Sequence, residues 1–458
     1  MQKTTIAAIA TAPGTGAIGL IRVSGADSTL LVSQIFKEKD LRKVAPNTVH
    51  LGKIRDASGQ VLDEVLVTVF KSPHSYTGED LVEISCHGST YILQSVLNSV
   101  LAAGAVPAKA GEFTMRAFLN GKMDLSQAEA VADLIASETQ AAQQLAISQL
   151  KGGIKTEIQD LRSELLHFIS LLELELDFSE EDVEFADRKN LESLLIKVQD
   201  HILKLYASFN LGNAVKQGVK TVIAGRPNAG KSTLLNALLQ EERAIVSEIA
   251  GTTRDTIEEP LNINGILFRL IDTAGLREAQ DQIEKMGVER SLEKIKESSV
   301  LVYVFDVIET SKEQLWEDLE KLKQTGQQLL VIANKMDLNP GIDYEHYVNQ
   351  FLSKNQIIPC SAKNKMNLDY IKNQLYELVL GDSKIQDDSI AINARHQDAL
   401  QKSIQQIEAA INGMQSGLQS ELLAQYIRHA LYHLAEISGE ITNDEILGTI
   451  FGKFCIGK

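Results

Sequence analysis

An alternation of short apolar runs and helical stretches between residues 219 and 380 constrains the fold of this chain more than any other feature. The runs "VKTVIAG", "LFRLIDT", "VLVYVFDV", "LLVIANK" and "QIIPCSA" are typical of strands, and sequence with helical character separates them. Strands that alternate with helices indicate a parallel, doubly wound α/β sheet.

A phosphate-binding loop is predicted where the first of these strands ends. The stretch "GRPNAGKS" (225–232) fits the pattern G-x-x-x-x-G-K-[ST] and opens the helix "TLLNALLQ". Backbone N–H groups and the helix N-terminus attract phosphate oxygens. Lys231 then supplies a positive charge to the β- and γ-phosphates, and Ser232 offers a hydroxyl to Mg²⁺. A tight turn without a ligand is the alternative, which the strand-to-helix context disfavours.

Two further elements predict contacts to the γ-phosphate and its metal ion. In "GTTRD" (251–255), Thr253 can close over the γ-phosphate and Mg²⁺. In "DTAG" (272–275), Asp272 is a candidate to hold Mg²⁺ through one of its coordinated water molecules. The backbone amide of Gly275 is a candidate to face the γ-phosphate.

The last two elements predict which nucleotide base is bound. In "NKMD" (334–337), the carboxylate of Asp337 can accept hydrogen bonds from N1–H and the exocyclic amine of guanine together. Adenine lacks this pair of donors. The stretch "SAK" (361–363) can present a backbone N–H to the guanine carbonyl. Five elements in this order predict GTP rather than ATP.

The hydrolytic apparatus is unusual in this sequence. Ras-like GTPases place a water-orienting glutamine directly after the "DxxG" element, and this chain has Leu276 there. Either hydrolysis is negligible or other groups supply it. Arg254 and Arg277 are candidate arginine fingers, although an ion pair at the protein surface is the more usual role of an arginine. The side chain of Asn228 suits a monovalent cation, although an asparagine in a turn needs no such role.

The flanking sequence predicts two further kinds of structure. Residues 1–120 mix β-branched runs with turn signals and indicate an α+β domain. Residues 121–215 and 382–458 are mainly helical, with a capping box predicted at "SQAE" (126–129). The α/β segment, residues 216–381, is therefore predicted to be inserted into one helical domain.

Composition limits the class of protein. The net charge is −16, and residues 1–124 hold 12 Lys and Arg against 11 Asp and Glu, so the acidic excess lies downstream. Nucleic acid would therefore need a local patch or a partner. Three cysteines without a CxxC pattern argue against a disulfide framework and fit a reducing compartment. No segment approaches the roughly 20 apolar residues of a membrane helix, so we expect a cytoplasmic protein without a membrane partner.

The whole chain resembles a known family. The stretches "APGTGAIGLIRVSG", "YTGEDLVEISCHG", "GEFTMRAFLNGKMDLSQAEAVADLI", "GRPNAGKS", "IVSEIAGTTRD", "DTAGLRE" and "CIGK" are together similar to the MnmE (TrmE) family of tRNA-uridine modification GTPases. The resemblance implies a folate-binding N-terminal domain that forms a homodimer, and a helical domain that carries the G domain. It also implies GTP hydrolysis stimulated by K⁺ and driven by G-domain dimerisation.

Several residue roles follow from the resemblance alone. Potassium ligands would be Asn228, Ser247, Ile249 and Thr252. Glu284 would orient the attacking water through a second water, which would account for Leu276. The GTP contacts implied are Asn228, Ala229, Gly230, Lys231, Ser232, Thr233, Ser247, Ile249, Thr252, Thr253, Asp272, Thr273, Ala274, Gly275, Asn334, Lys335, Asp337, Ser361, Ala362 and Lys363, with Mg²⁺ on Ser232 and Thr253.

The resemblance also implies roles for residues of the N-terminal domain and of the C-terminal tetrapeptide. Arg22, Glu83, Lys122 and Lys458 would bind a 5-formyl-tetrahydrofolate-type one-carbon donor. Cys455 would be a thiol delivered beside that donor, its chemical step open. A frayed tail is the alternative for Cys455, and a prenylation box is excluded by the residues that follow the cysteine.

The implied activity is the addition of a carboxymethylaminomethyl or aminomethyl group to the wobble uridine of certain tRNAs. A flavoprotein partner, MnmG (GidA), would carry FAD and NADH in a heterotetramer. Two other classes remain open from the residues: a regulatory GTPase switch in ribosome assembly, and a folate-binding module with an idle GTPase domain.

Overall fold

The computed structural model describes residues 4–177, 188–240, 258–272, 294–349, 352–380, 393–442 and 444–457. The chain divides into two compact units. We call the first the terminal unit, which comprises Met1–Ile135, Gln149–Leu203 and Asp398–Lys458. The second, the central unit, comprises Ala136–Ser148 and Lys204–Gln397.

A six-stranded sheet forms the N-terminal part of the terminal unit. Its strand order is β3-β4-β5-β2-β1-β6. Neighbouring strands are antiparallel, except for the parallel pair β1–β6. The strands are β1 (Ile6–Ile9), β2 (Ile18–Ser24), β3 (Thr48–Arg55), β4 (Val61–Phe70), β5 (Leu81–His87) and β6 (Val106–Pro107). Helices α1 (Ser28–Ile35) and α2 (Thr90–Ala102) share the core of this sheet. The predicted α+β domain is confirmed.

Strand β4 has one covered and one exposed face. Val65, Val67 and Val69 are buried, whereas Leu66 between them is 45% exposed. Because successive side chains of a strand point to opposite faces, this alternation places the helices on one face and leaves the other open at β4. Leu51, the cross-strand partner of Leu66, is exposed on the same open face.

Helices make up most of the remaining terminal unit. Helix α6 packs along α12, and Arg162 of α6 forms an ion pair with Glu440 just beyond α12. The helices that lie wholly or partly in this unit are α3 (Glu112–Leu119), α4 (Leu125–Ala136), α5 (Gln140–Leu150), α6 (Gly153–Asp177), α7 (Arg188–Gln217), α11 (Ala394–Gln415), α12 (Ser420–Ser438) and α13 (Asp444–Phe451).

The cap of helix α4 lies two residues before the predicted one. The Asp124 carboxylate accepts from the Gln127 N–H at 2.8 Å, and the Gln127 side-chain oxygen accepts from the Asp124 N–H at 3.0 Å. These reciprocal bonds are the capping-box arrangement. The prediction of Ser126 as the cap is wrong because Asp124 supplies a stronger acceptor, and Ser126 donates its own hydroxyl to Asp124.

The central unit contains the predicted doubly wound sheet. Its order is β12-β11-β10-β7-β9-β8, and only the edge strand β8 is antiparallel to its neighbour among the described strands. The strands are β7 (Val219–Ala224), β8 (Glu258–Ile263), β9 (Ile266–Asp272), β10 (Val300–Asp306), β11 (Gln328–Asn334) and β12 (Ile357–Pro359), and the helices are α8 (Lys231–Gln240), α9 (Lys312–Leu322) and α10 (Leu368–Leu380).

Two apolar cores cover the two faces of this sheet. Helices α8 and α10 contribute Leu234 and Ile371 to one core, and α9 contributes Leu315 to the other. Every residue of β10 is buried, as expected for a central strand covered on both faces. Parallel strands bring their carboxyl ends to one edge, where ligands of such sheets bind.

The segment Ala136–Ser148 belongs to the central unit, although it lies far from it in sequence. The Glu138 carboxylate accepts a hydrogen bond from Arg269 Nη2 at 3.1 Å. Leu145 is buried in the core that contains Leu261. Ala141 lies against Gly265 in the turn between β8 and β9, where a Cβ on Gly265 would stand 2.8 Å from the Ala141 Cβ.

Within the described ranges, no helix combines the length and the apolarity needed to cross a bilayer.

Gly52 is predicted to be irreplaceable for the stability of the N-terminal sheet. A Cβ there would lie 2.5 Å from Cε2 of Phe36, a fully buried ring. We expect Gly52→Ala to lower the free energy of unfolding by about 1–3 kcal/mol through overpacking. Calorimetric thermal unfolding should resolve the shift. Gly16→Ala is the control, because its Cβ would meet an ordinary contact of 3.6 Å; equal effects of the two changes would refute the packing argument.

Candidate functional site

The phosphate loop joins β7 to α8 in a conformation that requires glycine at both ends. Gly225 has φ +147°, and a Cβ there would lie 2.0 Å from the carbonyl oxygen of Val304. Gly230 has φ +93°, and its Cβ would lie 2.2 Å from Asn334 Nδ2. Asn228 adopts φ +61°, a left-handed conformation that asparagine tolerates better than most residues. The two glycines therefore let the loop pack directly against β10 and the Asn334 side chain.

Lys231 lies across this loop and is only 7% exposed. Its Nζ donates to the carbonyl oxygens of Gly225 at 3.0 Å and Arg226 at 2.9 Å. Ser232 and Thr233 follow in the exposed first turn of α8, and the N-terminus of a helix attracts anions. The predicted phosphate-binding residues are thus brought together at the carboxyl end of β7.

An ion pair holds the first half of the loop. The guanidinium of Arg226 donates to Asp318 on α9, with distances of 2.7 Å from Nε and 3.2 Å from Nη2. The Tyr303 hydroxyl of β10 donates to the same carboxylate at 2.5 Å. Burial would raise the pKa of Asp318, but the bonds from Arg226 and Tyr303 outweigh it, so the pKa lies below its ordinary value. Burial, together with the Asp318 charge, raises the pKa of Tyr303.

A buried amide joins the loop to the predicted base-binding elements. Asn334, which ends β11 and is 3% exposed, donates through Nδ2 to the carbonyl oxygen of Ala229 at 2.8 Å. Its Oδ1 accepts from the N–H of Ala362 at 3.0 Å. The Ser361 hydroxyl donates to Asp337 Oδ1 at 2.6 Å. The "NKMD" and "SAK" elements are therefore hydrogen-bonded to the phosphate loop through Asn334.

A second carboxylate positions Lys335. The residue has φ +68°, and its Nζ donates to Asp306 Oδ2 at 2.6 Å. Burial would raise the pKa of Asp306, but the Lys335 ammonium and the N–H of Ile308 lower it below its ordinary value. Asp306 is therefore a charged partner that holds Lys335 beside Asp337. Lys363 is exposed after Ala362.

Part of the predicted site lies outside the described residues. Asp272 ends β9, and its backbone pairs with that of Ile223 at the edge where the phosphate loop begins. The predictions that fall outside the described ranges concern Ser247, Ile249, Thr252, Thr253, Arg254, Thr273, Ala274, Gly275, Leu276, Arg277, Glu284 and Lys458.

The terminal unit brings two of the predicted donor-binding residues together on the sheet face opposite α1 and α2. Arg22 of β2 and Glu83 of β5 are direct cross-strand partners. Nε and Nη2 of Arg22 both donate to Glu83 Oε1, at 3.0 and 2.8 Å. The guanidinium also lies 5.1 Å from the ring centre of Tyr76 and 5.7 Å from that of Phe113, within cation–π range.

Gly457 lies at the same place. Arg22 Nη1 is 3.4 Å from the carbonyl oxygen of Gly457, and Cys455 is exposed. Lys122 donates to the carbonyl oxygen of Pro73 at 3.1 Å. This places it against the loop that carries Tyr76, so it contacts the surroundings of the pair and not Arg22 itself.

The other two cysteines are core residues. Burial raises the pKa of Cys86 to about 11 and that of Cys360 to about 12, with smaller contributions from the nearby Asp63 and Asp337 charges. Thiolate formation is therefore suppressed at neutral pH. Cys86 is buried and donates to the Gly19 carbonyl oxygen, while the His87 ring bonds Asp63, so the two side chains do not form a nucleophilic pair.

Sequence reasoning missed the residues that support the site. Tyr76 and Phe113 enclose Arg22, and Asp306, Asp318 and Tyr303 hold the nucleotide elements. The available signal was weak: a charged residue inside the buried run of β2, and an acid at the end of the apolar run of β10.

Comparisons with known families and proteins cover almost the whole chain. A family model described as the MnmE helical domain matches residues 125–455, and one described as the GTP-binding protein TrmE N-terminus matches residues 5–122. The tRNA modification GTPase MnmE of Cytophaga hutchinsonii is 52% identical over 454 residues, which is 99% of this chain and 98% of the relative. That of Flavobacterium psychrophilum is 49% identical and covers 99% of each chain.

Solved GTPase structures match with low overall scores. An Aquifex aeolicus Era variant bound to GDP and AlF₄⁻ is 27% identical and covers 41% of this chain and 66% of its own, with a TM-score of 0.29. The G domain of the T. maritima FeoB iron transporter is 23% identical and covers 35% and 98%, with a TM-score of 0.27. Scores this low carry no structural argument.

Removal of the Asp318 charge is predicted to destabilise the central unit. Because the pKa of Asp318 is lowered in the folded state, its contribution is present above the ordinary value of 3.8 and is lost as the pH falls below it. We expect Asp318→Asn to cost about 1–3 kcal/mol at pH 7, since Arg226 and Tyr303 lose a charged acceptor. The deficit should shrink as the pH approaches 3. Denaturant titrations followed by fluorescence of Trp316, the single tryptophan, measure it.

Glu317→Gln is the matched control on the same helix. Glu317 forms an exposed pair with Lys321, and such pairs contribute about 0–1 kcal/mol. If both changes cost the same, or if the Asp318→Asn deficit stays constant with pH, the proposed role of the ion pair is wrong.

Proposed function

This chain belongs to the MnmE family of tRNA modification GTPases, and from that premise we propose that K⁺ stimulates its GTP hydrolysis and that the product of the whole reaction is a modified wobble uridine. With a flavin-dependent partner it would add a carboxymethylaminomethyl or aminomethyl group. One observation carries the nucleotide part of the proposal: Asn334 joins the phosphate loop, the "NKMD" element and the "SAK" element through two hydrogen bonds.

The described residues fit GTP and Mg²⁺. The backbone N–H groups of residues 225–232 can surround phosphate oxygens, and glycine at positions 225 and 230 lets the loop pack against Val304 and Asn334 in this conformation. Lys231 supplies the charge, and Ser232 would hold the metal ion together with Thr253. Asp337, oriented by Ser361, would accept the two guanine donors.

The catalytic part rests on the family. Asn228, Ser247, Ile249 and Thr252 would hold K⁺ beside the phosphates, and Glu284 would orient water. The left-handed conformation of Asn228 is sufficient reason for an asparagine in this loop. Its role as a cation ligand therefore needs the direct test below.

The modification part is assigned to the terminal unit. Glu83 can accept the donor edge of a pterin, and Arg22, Lys122 and Lys458 can hold its carbonyl or carboxylate groups. The bound 5-formyl-tetrahydrofolate-type donor would supply a one-carbon unit. Cys455, exposed at the same place, would act in that chemistry and not in GTP hydrolysis.

We also assign the partners from the family. The chain would work in the cytoplasm as a homodimer, within a heterotetramer with the flavoprotein MnmG (GidA), which would carry FAD and NADH. The substrate is tRNA. The net charge of −16 favours an arrangement in which the partner supplies much of the tRNA binding.

The potassium proposal predicts a cation-dependent rate. We expect GTP hydrolysis by the full chain to be faster in KCl than in NaCl at equal ionic strength. Asn228→Ala should abolish the difference, because a group that stabilises transition-state charge is typically worth roughly 10²–10³ in rate. Steady-state phosphate release measures both.

Asn364→Ala, in the loop after Lys363, is the control for a lost surface amide, and it should keep the response to K⁺. Equal slow rates of the parent chain in the two salts would refute the potassium mechanism. A K⁺ response that survives Asn228→Ala would refute the assignment of Asn228.

A further inference from the structure

Residues 455–457 are docked on the N-terminal domain. Ile456 forms an antiparallel bridge with Ala110, and the N–H of Gly111 donates to the carbonyl oxygen of Cys455 at 3.4 Å. Residues 455–457 are therefore joined by backbone contacts to the segment that follows β6. We call them the docked tail.

Gly457 fits this position only because it has no side chain. Its φ is +97°, a conformation that other residues rarely adopt. A Cβ would lie 2.3 Å from the carbonyl oxygen of Ile9 and 2.9 Å from Cα of Ala10. Both obstacles are backbone atoms of β1 and its continuation, so they cannot rotate away.

Arg22 binds the tail while it binds Glu83. Nε and Nη2 contact the Glu83 carboxylate, and Nη1 reaches the Gly457 carbonyl oxygen over a long 3.4 Å contact. The rings of Tyr76 and Phe113 enclose the guanidinium, whose side chain is 15% exposed. Three nitrogens of one rigid fork are thus used, which a lysine could not reproduce.

We infer that Arg22 and Gly457 are positioning residues that dock the tail and thereby fix the position of the exposed Cys455 thiol. Arg22 acts on Cys455 through the Gly457 carbonyl and does not serve only as a contact for the one-carbon donor. The inference rests on the proposed function for the use made of the thiol. The docking itself depends only on the contacts above.

A link to ligand binding follows from this arrangement. If the donor contacts Arg22 or Glu83, then its binding changes the group that holds Gly457. By thermodynamic reciprocity, a change in tail docking must alter donor affinity by the same factor as the donor alters docking.

A competing explanation is that packing upstream holds the tail and that Arg22 serves the donor alone. Phe451 and Phe454 are buried in a cluster with Leu125 and Ala128. On this explanation, Arg22→Lys keeps the positive charge and leaves residues 455–457 unchanged when no donor is present.

A nitroxide spin label on Cys455 separates the two explanations. Cys86 and Cys360 are 4% and 0% exposed and their thiols have raised pKa values, so a thiol reagent labels Cys455 in the native full-length chain. The electron paramagnetic resonance spectrum then reports the mobility of the tail. We expect an immobilised component in the parent chain without any added ligand.

Arg22→Lys and Gly457→Ala should both lose that component. Gly457→Ala keeps the test decisive if Arg22→Lys fails to fold, because position 457 lies at the end of the chain. Gly59→Ala is the control, since Gly59 has a similar φ of +88° with no atom near its Cβ. A spectrum that stays immobilised in both variants, or a parent spectrum that is already mobile, would overturn the inference.

Isothermal titration with 5-formyl-tetrahydrofolate distinguishes failure of the docking inference from failure of the proposed function. Weaker binding by Gly457→Ala than by Gly59→Ala supports the link between tail and donor. Absence of binding by the parent chain would refute the donor site, while the spin-label result would still decide whether Arg22 and Gly457 dock the tail.

Discussion

The buried amide of Asn334 is the interaction on which the nucleotide site depends. It donates to the phosphate loop through Ala229 and accepts from Ala362, so one side chain sets the distance between the phosphate-binding and base-binding elements. An amide left unpaired at 3% exposure would carry a full desolvation cost, so loss of either bond disturbs both elements. The same amide explains Gly230, since a Cβ there would collide with Asn334 Nδ2.

In the terminal unit, an ion pair links parts of the chain that are distant in sequence. Glu83 and Arg22 face each other across two strands, and the guanidinium fork has one nitrogen left for the carbonyl of Gly457. The first strands and the last residues of the chain meet there. An exposed thiol three residues from the end is therefore held in place by the backbone on both sides of it, through Gly111 and through Gly457.

Local sequence patterns predicted the strands and the phosphate loop. They did not predict the side-chain contacts between residues that are distant in sequence. The runs around 219–225 and 300–307 predicted strands because a buried parallel strand is apolar throughout. The loop "GRPNAGKS" predicted its function because spacing alone defines it. Nothing in the sequence connects Arg226 with Asp318 or Arg22 with Gly457, which are 92 and 435 residues apart. The cap at Asp124 was missed because a carboxylate two residues upstream competes with Ser126.

Nucleoside analysis of tRNA tests the central claim, which is that GTP hydrolysis serves chemistry on a wobble uridine in which Cys455 takes part. A strain that lacks the chain would be complemented with the parent, with Lys231→Ala or with Cys455→Ser, and its wobble uridines would be measured by mass spectrometry. We predict modified uridine with the parent alone. Modified uridine in the strain without the chain would contradict the claim that this protein installs the group, and full modification with Cys455→Ser would contradict the role of the thiol.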